Sequence, residues 1–228
     1  MTGVEIKRSR THNAEGARES ILTAAEQVFS ERGFAGARID DIAEASGYNK
    51  GLIFRYFGDK QRLYLEVIRR VDADTREIQV RVVASLMEED VLRDPQRFAA
   101  LVKTFTGEVF DYYVAHPRVM RILQWEMAEG WQNYHRIAPR IADADFETMK
   151  ARLALLQDTD LLRSKFDLMA QILTAIFQPI LFLGLLPFYP TFSPAGERLM
   201  AGDMRSAREF VIEFVAGGLL AVPDKKEV

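Results

Sequence analysis

Apolar residues recur along this chain at helical rather than strand spacing, and turn-forming residues separate the periodic stretches. Ile21, Ala25, Val28 and Phe29 form one such stripe, with Asn13 placed to cap its helix and Gly33 to stop it. A short helix is predicted from Ile39 to Ser46, with Asp40 and Asp41 in its first turn and Gly47 as its breaker. Asn49 then caps another short helix ending near Phe57, and Gly58-Asp59 restarts the chain into a long one. Beyond Lys60 the pattern predicts helices over about 60–87, 95–115, 117–129, 138–157, 163–186 and 203–221. Asp94-Pro95, His116-Pro117 and Ala138-Pro139 mark three of the starts, because proline is tolerated in a first turn and disfavours helix just before it. The stretch 187–202, with three prolines and two glycines, reads as a loop. No β-alternation of useful length interrupts this series, so the expected fold is all-α.

Two helices separated by a glycine-centred turn, behind a longer first helix, make a helix-turn-helix pattern. Ile39, Ile42 and Ala43 give the second helix an apolar face, and Ile53 turns that of the third inward. Asn49, Lys50, Phe54 and Tyr56 are left to project outward, on a helix short enough for a major groove about 12 Å wide. The expected organisation is a flexible basic arm over 1–12, a DNA-binding domain over 13–60, and a larger domain over 61–228.

Composition adjusts this picture only modestly. The 228 residues are 48% hydrophobic and 28% charged, enough for a core and a wet surface. Cysteine is absent, which excludes disulfides, thiolate nucleophiles and cysteine-built metal sites. Net charge is −3, but residues 1–70 hold 12 Lys and Arg against 10 Asp and Glu, leaving 18 against 23 for the remainder. That asymmetry has the sign of a DNA-facing head on an acidic body. Ile172–Tyr189 is apolar but carries two prolines, and a buried helix is expected there rather than a membrane span. His12, His116 and His135 are scattered without metal spacing, and neither a phosphate-binding glycine loop nor a serine elbow is present. An enzyme is therefore not expected, and no metal or cofactor.

The segment from Gly33-Phe34 through Ile42-Ala43, Asn49-Lys50-Gly51, Phe54-Arg55-Tyr56-Phe57 and Asp59-Lys60 resembles the TetR family of regulators over about 50 residues. The resemblance implies a cytoplasmic homodimer that binds a palindromic operator in double-stranded DNA and is released by a small effector. It is expected to be a repressor, with activation left open by the residues alone. By resemblance and chemistry, Lys50, the Gly51 amide, Tyr56 and Lys60 are phosphate-contact candidates, and Tyr48, Asn49 and Arg55 base-reading ones. Phe54 fits core or DNA contact equally, whereas Phe57 is expected in the core. Two departures stand out: Ala37-Arg38 replaces the usual hydroxyl residue, offering the Arg38 guanidinium instead, and Tyr48 replaces a small aliphatic residue.

In relatives the remaining residues hold a ligand pocket, and the last two long helices pair the subunits. Here both are apolar, and Gly217-Gly218 permits close approach. Aromatic, aliphatic and Met positions Phe105, Val109, Tyr113, Trp125, Met149, Ile172 and Phe177 are candidate pocket walls, although any helical core needs such residues. Gln124, Glu126, Gln171 and Gln178 are candidate polar contacts among them. The expected effector is hydrophobic or aromatic.

Overall fold

A computed structural model describes residues 3–88, 90–91, 93–136, 151, 154–156, 159–163, 166–192 and 204–221. Its helices are α1 (Gly3–Gly36), α2 (Ile39–Ser46), α3 (Lys50–Phe57), α4 (Lys60–Met87), α5 (Pro95–Ala115), α6 (Pro117–Ala128), α7 (Leu168–Leu185) and α8 (Met204–Leu219). Short 3-10 turns lie at Tyr134–Arg136 and Leu186–Thr191. Among the described residues, extended pairing is limited to one bridge between Leu162 and Leu220. The all-α expectation holds.

The chain divides into two compact units, Met1–Asp74 with Pro117–Arg140, and Thr75–His116 with Ile141–Val228. The division falls inside α4 rather than at residue 60, because α6 returns to pack on α1. Helix α1 already begins at Gly3, so Asn13 lies within it and not at its cap. No proline or glycine separates Val4 from Glu15, and nothing in that stretch stops a helix.

In the first unit, Ile21, Leu22, Ala25, Val28 and Phe29 of α1 are buried with Leu63, Tyr64, Val67 and Ile68 of α4 and Ile122 of α6. A buried aliphatic side chain of this size contributes about 1.5–3 kcal/mol. Gly33 kinks α1 at φ 66°, and a Cβ there would stand 2.8 Å from the Trp125 ring. Glycine thus serves both the left-handed backbone and the close approach of α6. The Trp125 indole N–H donates to the Ser30 carbonyl at 3.2 Å, sealing the same contact.

Directly beside it, Glu126 is fully buried. Its carboxylate accepts from the Tyr64 hydroxyl at 2.8 Å, the Asn133 amide at 3.0 Å and the Tyr134 backbone N–H at 3.0 Å. A charge taken out of water needs such donors, and three of them tie α4 to the turn that follows α6. That turn is tight: Gly130 and Trp131 both adopt positive φ, 71° and 61°.

In the second unit, α5 starts as expected, with the Asp94 carboxylate accepting from the amides of Gln96 and Arg97. Phe98, Val102, Val109, Phe110 and Tyr113 of α5 share a core with Ile180, Phe182 and Leu183 of α7 and Ala207, Val211 and Val215 of α8. Arg208 spans α8 to α5, where its Nε donates to both Asp111 carboxylate oxygens at 2.8 and 3.0 Å. Its guanidinium occupies the space a side chain at position 107 would need, which fits the glycine found there.

Helix α7 starts at Leu168, later than the expected 163, because residues 161–163 instead lie against 219–221 and Asp167 caps the helix. The stretch from Ala170 to Thr191 is long and apolar enough to cross a membrane, yet only 28% of it is buried. The expected buried helix is thus corrected: one face of α7 packs and the other is exposed, at Leu173, Leu181 and Leu185. The expected loop over 187–202 opens as a 3-10 turn to Thr191. Most of the expected helix over 138–157 and the rest of that loop lie outside the described residues.

Candidate nucleic-acid interface

The α2–α3 pair is built from local rules. Arg38 occupies the N-cap position of α2 in extended conformation without a side-chain cap, and Asp40 and Asp41 place negative charge on the positive end of the helix instead. Asp41 is further tied to Arg32 of α1 at 2.5 Å. Gly47 closes α2 at φ 72°, a left-handed position that suits glycine. Asn49 then caps α3, its side-chain oxygen accepting from the Leu52 amide at 2.9 Å. Ile42 of α2 and Ile53 and Phe57 of α3 face the core.

This arrangement leaves one face of α3 in solvent. Arg38, Asn49, Lys50, Gly51, Phe54 and Arg55 are exposed, while Tyr48 and Tyr56 are half-buried. Phe54, which the sequence left between core and surface, is 45% exposed. Phe57 is buried as expected, with the Arg18 guanidinium 5.2 Å from its ring centre. Arg55 lies 5.6 Å from the Tyr56 ring centre, which limits the directions its charge explores. The first-turn amides of Lys50 and Gly51 point out of the helix N-terminus, where a short helix offers donors and partial positive charge to an anion.

Two lysines are placed in ways the sequence did not signal. Lys50 makes an ion pair with Asp40, so its ammonium is held between α3 and the start of α2. Lys60 turns back beneath the corner between α1 and α2. Its ammonium donates to the Ala37 carbonyl at 2.8 Å and reaches the Ala35 carbonyl at 3.5 Å, 4.6 Å from the Phe34 ring centre. Loss of water lowers its pKa from the ordinary 10.5, against the attraction of Glu129. Lys60, a phosphate-contact candidate, thus has its ammonium engaged by backbone carbonyls at the corner between α1 and α2. Asn49 likewise spends its side-chain oxygen as a cap.

The candidate pocket residues are divided between the two units. Gln124, Trp125 and Glu126 belong to the first unit, where Trp125 and Glu126 are committed to the contacts described above. Val109 and Tyr113 are buried in the second unit and Phe105 half-buried on the same helix. Gln171 and Gln178 line a groove of about 230 Å³ between α7 and α8, together with Thr174, Phe166 and Phe214. Ile172 and Phe177 are half-buried on α7 outside that groove, and Met149 lies outside the described residues.

Comparison with known proteins agrees with the head. Residues 21–67 match the family model for bacterial regulatory proteins, tetR family. The chain is 33% identical over 118 residues to the HTH-type transcriptional repressor NicS of Pseudomonas putida, covering 51% of each protein. It is 34% identical over 115 residues to the HTH-type transcriptional repressor SCO4008 of Streptomyces coelicolor, covering 50% of this chain and 52% of that protein. The chain thus spans about half the length of the curated relatives it matches. Neither relative is named as an enzyme. The fold extends further than the sequence likeness: the structure of NalD, the secondary repressor of the MexAB-OprM multidrug efflux pump in Pseudomonas aeruginosa, matches with a TM-score of 0.57 at 20% identity, over 92% of this chain and 98% of that one. The helix-turn-helix head, residues 21–67, is thus similar to that of the tetR family of bacterial regulatory proteins.

Proposed function

We propose that this protein is a ligand-responsive transcriptional repressor, acting in the cytoplasm as a homodimer on a palindromic operator. The observation that carries the reading is the solvent face of α3. Lys50, Phe54 and Arg55 are exposed on a helix whose Ile53 and Phe57 are fixed in the core, and Arg38 is exposed at the start of α2. Cations flanking an apolar ring suit a phosphate-lined groove with thymine methyls in its floor. Arg38, Lys50, the Gly51 amide and Tyr56 then hold phosphates, while Tyr48, Asn49 and Arg55 read base edges and Phe54 packs against them.

Pairing runs through the outward faces of α7 and α8, where Leu173, Leu181, Phe210 and Phe214 stand in solvent in the single chain. Four large apolar side chains on two helices make a patch that a soluble protein covers with a partner. The effector is hydrophobic or aromatic and acts on the second unit, where apolar side chains of α5 and α7 surround few polar groups. Its binding favours a body conformation that spoils the spacing of two recognition helices about 34–36 Å apart.

Gel shift with the DNA upstream of the protein's own gene tests the head. A retarded band at low salt is expected, with Lys50→Ala lowering the slope of log affinity against log salt by about one unit. Failure to retard any of that DNA at low salt, where phosphate contacts are strongest, would remove the reading.

A further inference from the structure

The turn after α6 forms one wall of a cleft within the first unit. Phe34 and Ala35 at the end of α1 and Gln61 in the first turn of α4 face Glu129, Gln132, Asn133 and Arg136, around a volume of about 480 Å³. This lies within the 300–1,000 Å³ range, roughly, of small-molecule sites. Its walls are unusually well held for a surface feature. Glu126 pins Asn133 and the Tyr134 amide from below, and Lys60 pins the carbonyls of Ala35 and Ala37 on the other side.

The chemistry of the lining is specific in kind. Glu129 and Arg136 bring one negative and one positive group to the same cleft, and among the described residues no ion pair joins them. Gln61 and Gln132 add amides that both donate and accept, and the half-buried Phe34 ring supplies an apolar surface. Glu129, which also attracts the Lys60 ammonium, and Arg136, which is not paired with it, set opposite charges beside amides and one ring, and so complement a molecule that carries both charges itself.

We propose that this cleft is a binding site for a small zwitterion of the α-amino acid class. Its carboxylate lies on the Arg136 guanidinium, its ammonium on Glu129, and its side chain runs along Gln61 toward Phe34. A guanidinium suits a carboxylate because its paired N–H groups match the two oxygens. The site is distinct from the recognition face and from the groove between α7 and α8, so it needs neither DNA nor a second subunit.

Isothermal titration of the full chain with the free L-amino acids phenylalanine and glutamine tests it. Saturable binding with a Kd of about 1 mM or tighter is expected for at least one. N-acetylation or amidation of that amino acid, each of which removes one charge, should abolish the signal. Arg136→Ala and Glu129→Gln should each weaken binding by about tenfold or more. Both positions are on the surface, and melting curves matching the parent confirm that each variant is folded. Absence of saturable heat with both probes overturns the proposal, as does binding that survives either substitution or either charge removal. Operator retardation in the absence of amino acid is unaffected by any of these outcomes, so failure here leaves the DNA reading standing.

Discussion

Lys60 shows how one side chain can change role once its surroundings are known. By its place after Asp59 it reads as a phosphate contact, and the resemblance to relatives reinforces that reading. In the structure its ammonium donates to two carbonyls at the end of α1 and lies over the Phe34 ring. Carbonyls left over where a helix ends need donors, and a cation is the strongest available. Lys60→Ala should therefore cost about 1.5–3 kcal/mol of stability, the usual worth of hydrogen bonds to a charged group. It should leave the salt dependence of operator binding unchanged, whereas Lys50→Ala reduces it. Urea unfolding and a salt titration of the gel shift measure the two effects separately. A variant as stable as the parent but with a shallower salt slope would return Lys60 to the phosphate backbone.

At the scale of elements, the helices with explicit local punctuation were legible in advance. The segments 39–46, 60–87 and 95–115 follow from Gly47, Gly58-Asp59 and Asp94-Pro95, each of which acts within a few residues. The start of α1 was not, because a basic polar stretch lacking a breaker is compatible with an arm or a helix alike. Glu126 stands out in the sequence as a polar group among apolar ones, but its partner Tyr64 lies 62 residues away and no periodicity links them. Their contact carries its own prediction. Burial, reinforced by the bond to Glu126 and its charge, pushes the Tyr64 phenol well above its ordinary 10.0. The folded chain then holds that proton while the unfolded chain releases it above pH 10, so the unfolded state binds fewer protons. Stability from this group is complete below pH 10 and declines as pH rises beyond it. Tyr64→Phe should flatten that alkaline decline. It should also cost about 1–3 kcal/mol at neutral pH, because the Glu126 carboxylate loses a donor it cannot replace from water. Thermal melts of both proteins between pH 7 and 11 decide it: parallel alkaline slopes would show that Tyr64 ionises as freely in the fold as outside it.

For the whole molecule, charge and apolar exposure point to different partners for different ends of the sequence. The surplus of positive charge lies in residues 1–70, and large exposed apolar side chains accumulate from Phe166 onward. Hydropathy alone could not separate a buried helix from an exposed one for 170–191, since both are equally apolar. What distinguishes them is which neighbours the chain itself supplies, and here Leu173, Leu181 and Leu185 of α7 and Phe210 and Phe214 of α8 find too few. A second copy presenting the same two helices covers both faces at once, as twofold pairing requires. Phe214→Glu places a charge at the most exposed apolar position of α8 without touching buried Val211 or Val215. Desolvating that carboxylate against a partner costs far more than the ring contributed, so the variant should be a monomer in light scattering at micromolar concentration. Its melting in the isolated state should remain cooperative, because the core of α5, α7 and α8 is unchanged. Operator affinity should fall by several orders of magnitude, since a single head retains only half the phosphate contacts and loses the spacing that selects two half-sites. A dimer that persists in Phe214→Glu, with operator binding intact, would place the pairing surface elsewhere on the chain and leave the exposed face of α8 for another partner.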